Sequence, residues 1–305
     1  MKLFPTVPLI FKRRLAPQAA GKARVFPFLL LLSCLLLTAT LAYAVQDRGA
    51  SEEAVKAASI YKFLNYIEWP PEAFTGAGWR TLAHTLVVVT LEFALGLGMA
   101  LLFTMLGKSS HIWRTVFMYP LMIAPIVAGL LWKFLMIDNF GLIGTLLHQV
   151  GILTDPNQIG WLSDPNIVLY SVAIPDIWLT TSFMCLVLFA GLQNVPADLI
   201  EAARLDGARA PALLFQIILP LLRPVIAVAL VVRGIDAARA FDTILIQTNG
   251  GPQSASETMS LLIYRTMIRF GDPGLASAMG TLYLLAMLAV AFVAVSTIWR
   301  PGKDS

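Results

Sequence analysis

Six apolar runs, at about 25–45, 81–107, 113–136, 167–192, 221–246 and 274–298, each approach the roughly 20 residues that a helix needs to cross a bilayer. In lipid every backbone polar group must be satisfied within the spanning structure, so runs of this length without alternation predict membrane helices. Composition points the same way: 58% of the residues are hydrophobic and 13% charged, and the mean hydropathy is +0.76, far above that of a soluble domain. The expected fold is an all-α membrane protein with about six transmembrane helices. The pI near 9.1 does not indicate nucleic acid, because Lys and Arg lie between the apolar runs and form no patch interleaved with aromatics. Cys34 and Cys185 each sit inside an apolar run, which predicts neither a disulfide framework nor a metal site. His84, His111 and His148 are too dispersed for a ligand set and are read as loop or interface residues.

The short loops predict orientation. Lys12, Arg13, Arg14, Lys22 and Arg24 precede the first run, and Lys108 and Arg114 lie between the second and third. Arg204, Arg209 and Arg223 fall in or after the loop between the fourth and fifth, and Arg300 and Lys303 follow the last. If every run crosses, all of these lie on one side, which the positive-inside rule makes the cytoplasm. The 137–165 loop, on the opposite side, carries Asp138, Asp155 and Asp164 and no Lys or Arg.

Residues 201–220, EAARLDGARAPALLFQIILP, form a polar, Ala-rich stretch between two such runs. Pro196, Ala197 and Asp198 are expected to open a helix with Asp198, Glu201 and Asp206 toward its front, while Ala202, Ala203 and Ala208 leave room for a close-packed partner. Gly207 relaxes the backbone where the helix would run on, and Pro211 starts a second short helix. The spacing of Glu201, Ala202, Ala203, Asp206, Gly207, Ile217, Leu219 and Pro220 resembles the EAA loop of inner-membrane permease subunits of ATP-binding-cassette importers. The resemblance implies a type I importer permease core at 81–300, with the coupling loop at 193–220 docking on a cytoplasmic ATPase.

After the fifth run, Phe241-Asp242-Thr243-Ile244 and Thr248-Asn249-Gly250-Gly251-Pro252 resemble the signature of permeases for oligosaccharides and polyols, the maltose-type group. The Asn-Gly-Gly-Pro run also predicts a tight turn on its own chemistry. The amino terminus departs from that group, with His84 where Asn would be usual. Residues 45–75 resemble the start of small periplasmic regulators similar to YfiR, and they follow Ala42-Tyr43-Ala44, a signal-peptidase-like site, so that 1–80 is of atypical origin, a fusion among the options. The 25–45 run is expected to be retained as a span, since it is longer than a signal-peptide core of roughly 7–15 residues.

Charged residues inside spans are costly and mark sites or partners. Arg233, Asp236, Arg239 and Asp242 recur at steps of three in the fifth run and form a candidate ladder, with Asp236 paired to Arg239. Asp176, Trp178, Thr180 and Phe183 in the fourth run, together with Asp236 and Arg239, are the candidate solute pathway. No Walker A loop is present, so no catalytic residue and no bound cofactor are expected, and ATP-Mg belongs to a partner. The resemblance implies as partners a second permease subunit, an ATPase dimer and an extracytoplasmic solute-binding protein, in a bacterial inner membrane. Two other classes stay open on sequence: a secondary transporter or channel using the intramembrane Asp and Arg, and a membrane-tethered regulator.

Overall fold

A computed structural model describes residues 72–107 and 110–298. The 25–45 run, Cys34, the Ala44 site and most of the regulator-like segment lie outside the described residues. All regular secondary structure among the described residues is helical. Helix α1 (Glu72–Leu106) begins nine residues before the expected span and is about 52 Å long at 1.5 Å per residue. Helices α2 (Ser110–Met118) and α3 (Pro125–Met136) follow, joined by a 3₁₀ turn at Tyr119–Met122.

The expected straight span at 113–136 is therefore an elbow: the two halves meet at 94°. Pro120 and Pro125 account for it. Each lacks an N–H, and Pro125 forces Ala124 out of the helical region, to φ −63° and ψ 136°.

Helix α4 (Leu142–Gln149) and a turn-rich loop lead to the short α5 (Val168–Ser171) and to α6 (Ala173–Leu192), which together form one apolar span, Val168–Leu192. Next come α7 (Ala197–Leu205), α8 (Ala210–Ala212), a π-helical segment at Leu213–Ile218, α9 (Leu219–Ala238) and α10 (Asp242–Gln247). Ala210–Gln247 is a single apolar rod of 38 residues, so the span expected at 221–246 starts eleven residues earlier. Pro220 and Pro224 lack the N–H groups that α-geometry would use, and just before Pro220 the ladder widens, with Leu219 N–H donating to Leu214 O, five residues back. Helices α11 (Met259–Ile268) and α12 (Pro273–Ile298) complete the chain. Asp272 caps α12 through a 2.9 Å bond from Leu275 N–H, with Pro273 in the first turn.

The main core lies where α1, α6 and α9 cross. Met184, Leu188, Leu222 and Ala229 meet Ala100 and Phe103 there. Helix α1 approaches so closely at Gly96 that a Cβ on it would stand 2.8 Å from Met184 Cγ and 3.0 Å from the Cys185 backbone N, the small-residue contact typical of membrane helices. Phe103 meets Phe117 and Phe189 edge-on, with centroids 5.8 and 6.5 Å away.

Candidate coupling loop and intramembrane ion cluster

The loop after α6 has its shape from local rules. Pro196 precedes α7 in extended conformation, and the helix ends at Asp206. Gly207, at φ +80°, donates to Arg204 O at 3.0 Å, while Ala208 N–H reaches back to Ala203 O at 2.9 Å. Those two bonds are the Schellman pattern, which needs a residue tolerant of the left-handed region. Arg209 caps α8, and Pro211 sits in its first turn. Glu201, Ala202, Asp206 and Gly207 are exposed, Ala203 is half-buried, and Ile217, Leu219 and Pro220 are half-buried along the rod. Asp206 stands at the C-terminal end of α7 and not at its front, because the helix stops before it. Leu205 is 89% exposed and Leu199 47%, so α7 presents apolar surface outside the bundle.

Inside the bundle, three helices deliver charge to one point. Arg233 on α9 donates from Nε to Glu92 Oε2 at 2.8 Å and from Nη2 to Glu92 Oε1 at 2.7 Å, a bidentate pair with α1. The same guanidinium lies 3.5 Å from Asp176 Oδ1 on α6 and bonds Asp236 one turn along its own helix. Thr180 donates its hydroxyl to Glu92. The Arg233 and Glu92 side chains are 3% and 0% exposed, whereas that of Asp236 is 56% exposed. Removing two such ions from water costs several kcal/mol each, a cost that only close pairing and full hydrogen bonding offset.

The expected residues are thus redistributed. Asp176 and Thr180 join the cluster, but Trp178 turns to α3, where its ring packs against Trp132 at 6.0 Å. Two residues along a helix is about 200° around it, so Trp178 is not on the face of Asp176. Phe183 is half-buried on α6. Asp236 and Arg239 do approach, at 3.5 Å, with side chains 56% and 63% exposed, yet the closer partner of Asp236 is Arg233. The ladder stops there. The helix breaks after Ala238, and Asp242 opens α10 with no ion-pair partner among the described residues. His84 is a buried residue of α1, 1% exposed, and not a loop residue; neither of its ring nitrogens has a hydrogen-bond partner. Glu92 was not among the expected residues.

The glycine turn is tight, as its sequence predicts. Asn249 and Gly250 have φ of 49° and 80°. Arg265 bonds Asn249 O and donates to Glu257 Oε1 at 2.5 Å, and Ser256 Oγ lies 2.7 Å from Thr248 Oγ1. Arg80 and Thr81 tie the turn to α1: Arg80 Nε donates to Glu257 O, and Thr81 Oγ1 accepts from Met259 N–H, both at 2.9 Å.

Among the described residues the chain is a helical bundle with an exposed loop and a buried ion cluster, and sequence comparison gives its class. Residues 92–299 match the profile of the binding-protein-dependent transport system inner membrane component, and the chain belongs to that family. It is 37% identical over 213 residues to the trehalose/maltose transport system permease protein MalF of Thermococcus litoralis, covering 70% of each chain. It is 38% identical over 229 residues to the trehalose transport system permease protein SugA of Mycobacterium tuberculosis, covering 73% of this chain and 70% of that one. Its fold matches a chain of a bacterial ABC transporter involved in the import of the polysaccharide alginate, with a TM-score of 0.71, 20% identity, and coverage of 93% and 96%. The type I importer permease fold expected from the loop is thus the fold observed. Family membership sets aside the secondary-transporter, channel and regulator readings for this core, and makes the chain a multi-pass membrane protein.

Proposed function

We propose that this chain forms one half of the membrane pathway of an ATP-driven importer for a sugar, and that α7 carries the power stroke to the ion cluster along the Ala210–Gln247 rod. The carrying observation is continuity: Ala210–Ala238 winds without a break from α8, at the end of the coupling loop, to Arg233 in the cluster. The apolar Leu199 and Leu205 and the close-packing Ala202 and Ala203 suit a cleft on a separate ATPase, which hydrolyses ATP-Mg on the cytoplasmic side. A second permease subunit completes the pathway, and an extracytoplasmic binding protein delivers the solute. That solved relatives include an alginate transporter in complex with a pentasaccharide-bound periplasmic protein supports the last of these.

Sugar as the cargo rests on the trehalose and maltose permeases among the relatives, with a glycerol-3-phosphate permease of Brucella abortus, 34% identical over 213 residues, marking the polyol edge of the class. Within the cluster, exposure sorts the roles. Asp236 and Arg239 face open space and are the solute-facing pair, with Asp176 and Thr180 beside them on α6, while Trp178 packs away from them against α3. Glu92 and Arg233 are too buried to touch cargo and hold α1, α6 and α9 in register. Uptake of labelled trehalose, maltose and glycerol phosphate in a deletion strain tests the assignment. Loss of one uptake, restored by the gene, is expected; unchanged uptake of all sugars and polyols overturns it.

A further inference from the structure

Helices α1, α2 and α6 line an open pocket of about 190 Å³ that none of the coupling or pathway residues reach. One face of α2 forms a wall through His111, Arg114, Thr115 and Met118, and one face of α6 forms the other through Ser182, Cys185, Leu186 and Phe189. Each set follows the three- and four-residue spacing of a helix face, and Phe103 of α1 closes the floor. Ser182 Oγ donates to Phe117 O and fixes the two walls together. We propose that this cavity is a binding site for an anionic phospholipid, which places its phosphate at Arg114 and His111 and the first segment of a chain against Phe103, Leu186 and Phe189.

Arg114 is the reason. Its guanidinium carbon lies 4.6 Å from the Phe189 ring centroid, and its Nε donates weakly, at 3.4 Å, to Ser110 O. No carboxylate pairs with it among the described residues; Arg204, Arg209, Arg223 and Arg269 lack one too but are exposed to solvent, whereas Arg114 is half-buried. A half-buried cation with free donors above an apolar floor matches a phosphate attached to a hydrocarbon chain. Free phosphate would use the rim alone and leave the floor empty. A helix about 10 Å across does not enter so small a space. Ile112, Trp113 and Val116 on the outer faces of α2 are exposed, at 71%, 61% and 51%, as expected of a helix that lies against lipid at the interface.

The test is native mass spectrometry of the intact importer titrated with phosphatidylglycerol, with phosphatidylcholine and inorganic phosphate as the other probes. Wild type is expected to hold phosphatidylglycerol about fivefold more tightly than phosphatidylcholine, the effect of one cationic contact. Arg114→Lys should keep that preference and Arg114→Gln erase it. Leu186→Trp, which fills the floor and leaves the charge, should weaken both lipids. Equal retention of phosphatidylglycerol by wild type and Arg114→Gln would overturn the site. So would displacement by millimolar phosphate, which would mean a soluble anion, or cross-linking of the His111→Cys variant to the second permease chain, which would mean a protein contact.

Discussion

The proposed coupling loop and the ion cluster are built in opposite ways. The loop lies within one continuous stretch, 193–220, and its shape follows from nearest-neighbour chemistry: a Pro before α7, a Gly after it, a Pro inside α8. Glu92 and Arg233 are 141 residues apart and meet only because three helices pack. The loop can be exposed because water satisfies its backbone and its carboxylates. The cluster must be buried and paired, because lipid satisfies neither. A surface site is therefore written as a local pattern, and a membrane site as a set of exceptions to apolarity whose partners must be found in three dimensions.

That contrast predicts unequal responses to mutation. Arg233→Met leaves Glu92 and Asp176 as buried carboxylates without a cation, which costs about 3–5 kcal/mol and should lower the Tm of the purified complex by roughly 10 °C. Adding Glu92→Gln and Asp176→Asn removes the stranded charges and should recover more than half of the loss. A single variant as stable as wild type would show that the cluster contributes nothing to packing. Gly207→Pro should act in the reverse sense. Proline can neither adopt φ +80° nor donate to Arg204 O, so α7 loses its end. Co-purified ATPase should fall about tenfold, equivalent to roughly 1.4 kcal/mol of docking energy, while the Tm of the permease moves by no more than about 2 °C. Full ATPase recovery with this variant would end the coupling assignment. Asp236→Asn should be mildest in stability, below about 1 kcal/mol, because the side chain is 56% exposed. Its effect should appear in the KM for solute, and an unchanged KM and sugar preference would move Asp236 out of the pathway.

The sequence was informative in proportion to how local each feature is. The Gly207 stop and the 248–252 turn follow directly from residues in the segment itself, and the described spans lie where apolar runs place them, offset by up to eleven residues at a helix start. The elbow had a visible signal in Pro120 and Pro125, but apolar length outweighs two prolines when a span is judged by hydropathy. Glu92 is the one acid in the 81–107 run, easily absorbed into an apolar window. Its signal was Arg233 in another span, since a buried cation in lipid requires a carboxylate somewhere. Trp178 and Asp242 were misplaced for a geometric reason: spacing along the chain gives a face only while one helix continues, and it gives no neighbour at all.

The π-helical segment at Leu213–Ile218 sets an angular phase between loop and cluster. Each residue of an α-helix turns the chain by about 100°, so the direction in which α7 leaves the rod, relative to the side of the rod on which Arg233 lies, is fixed by how many residues separate them and by how tightly those residues wind. A stretch wound five residues to the hydrogen bond is where that count can be absorbed without breaking either end. Deleting one residue there would let the rod close into regular α-geometry with its phase nearly kept, whereas deleting one between Leu219 and Arg233 would swing the docking surface by about 100° around the axis, with the cap and the chemistry of both sites left intact.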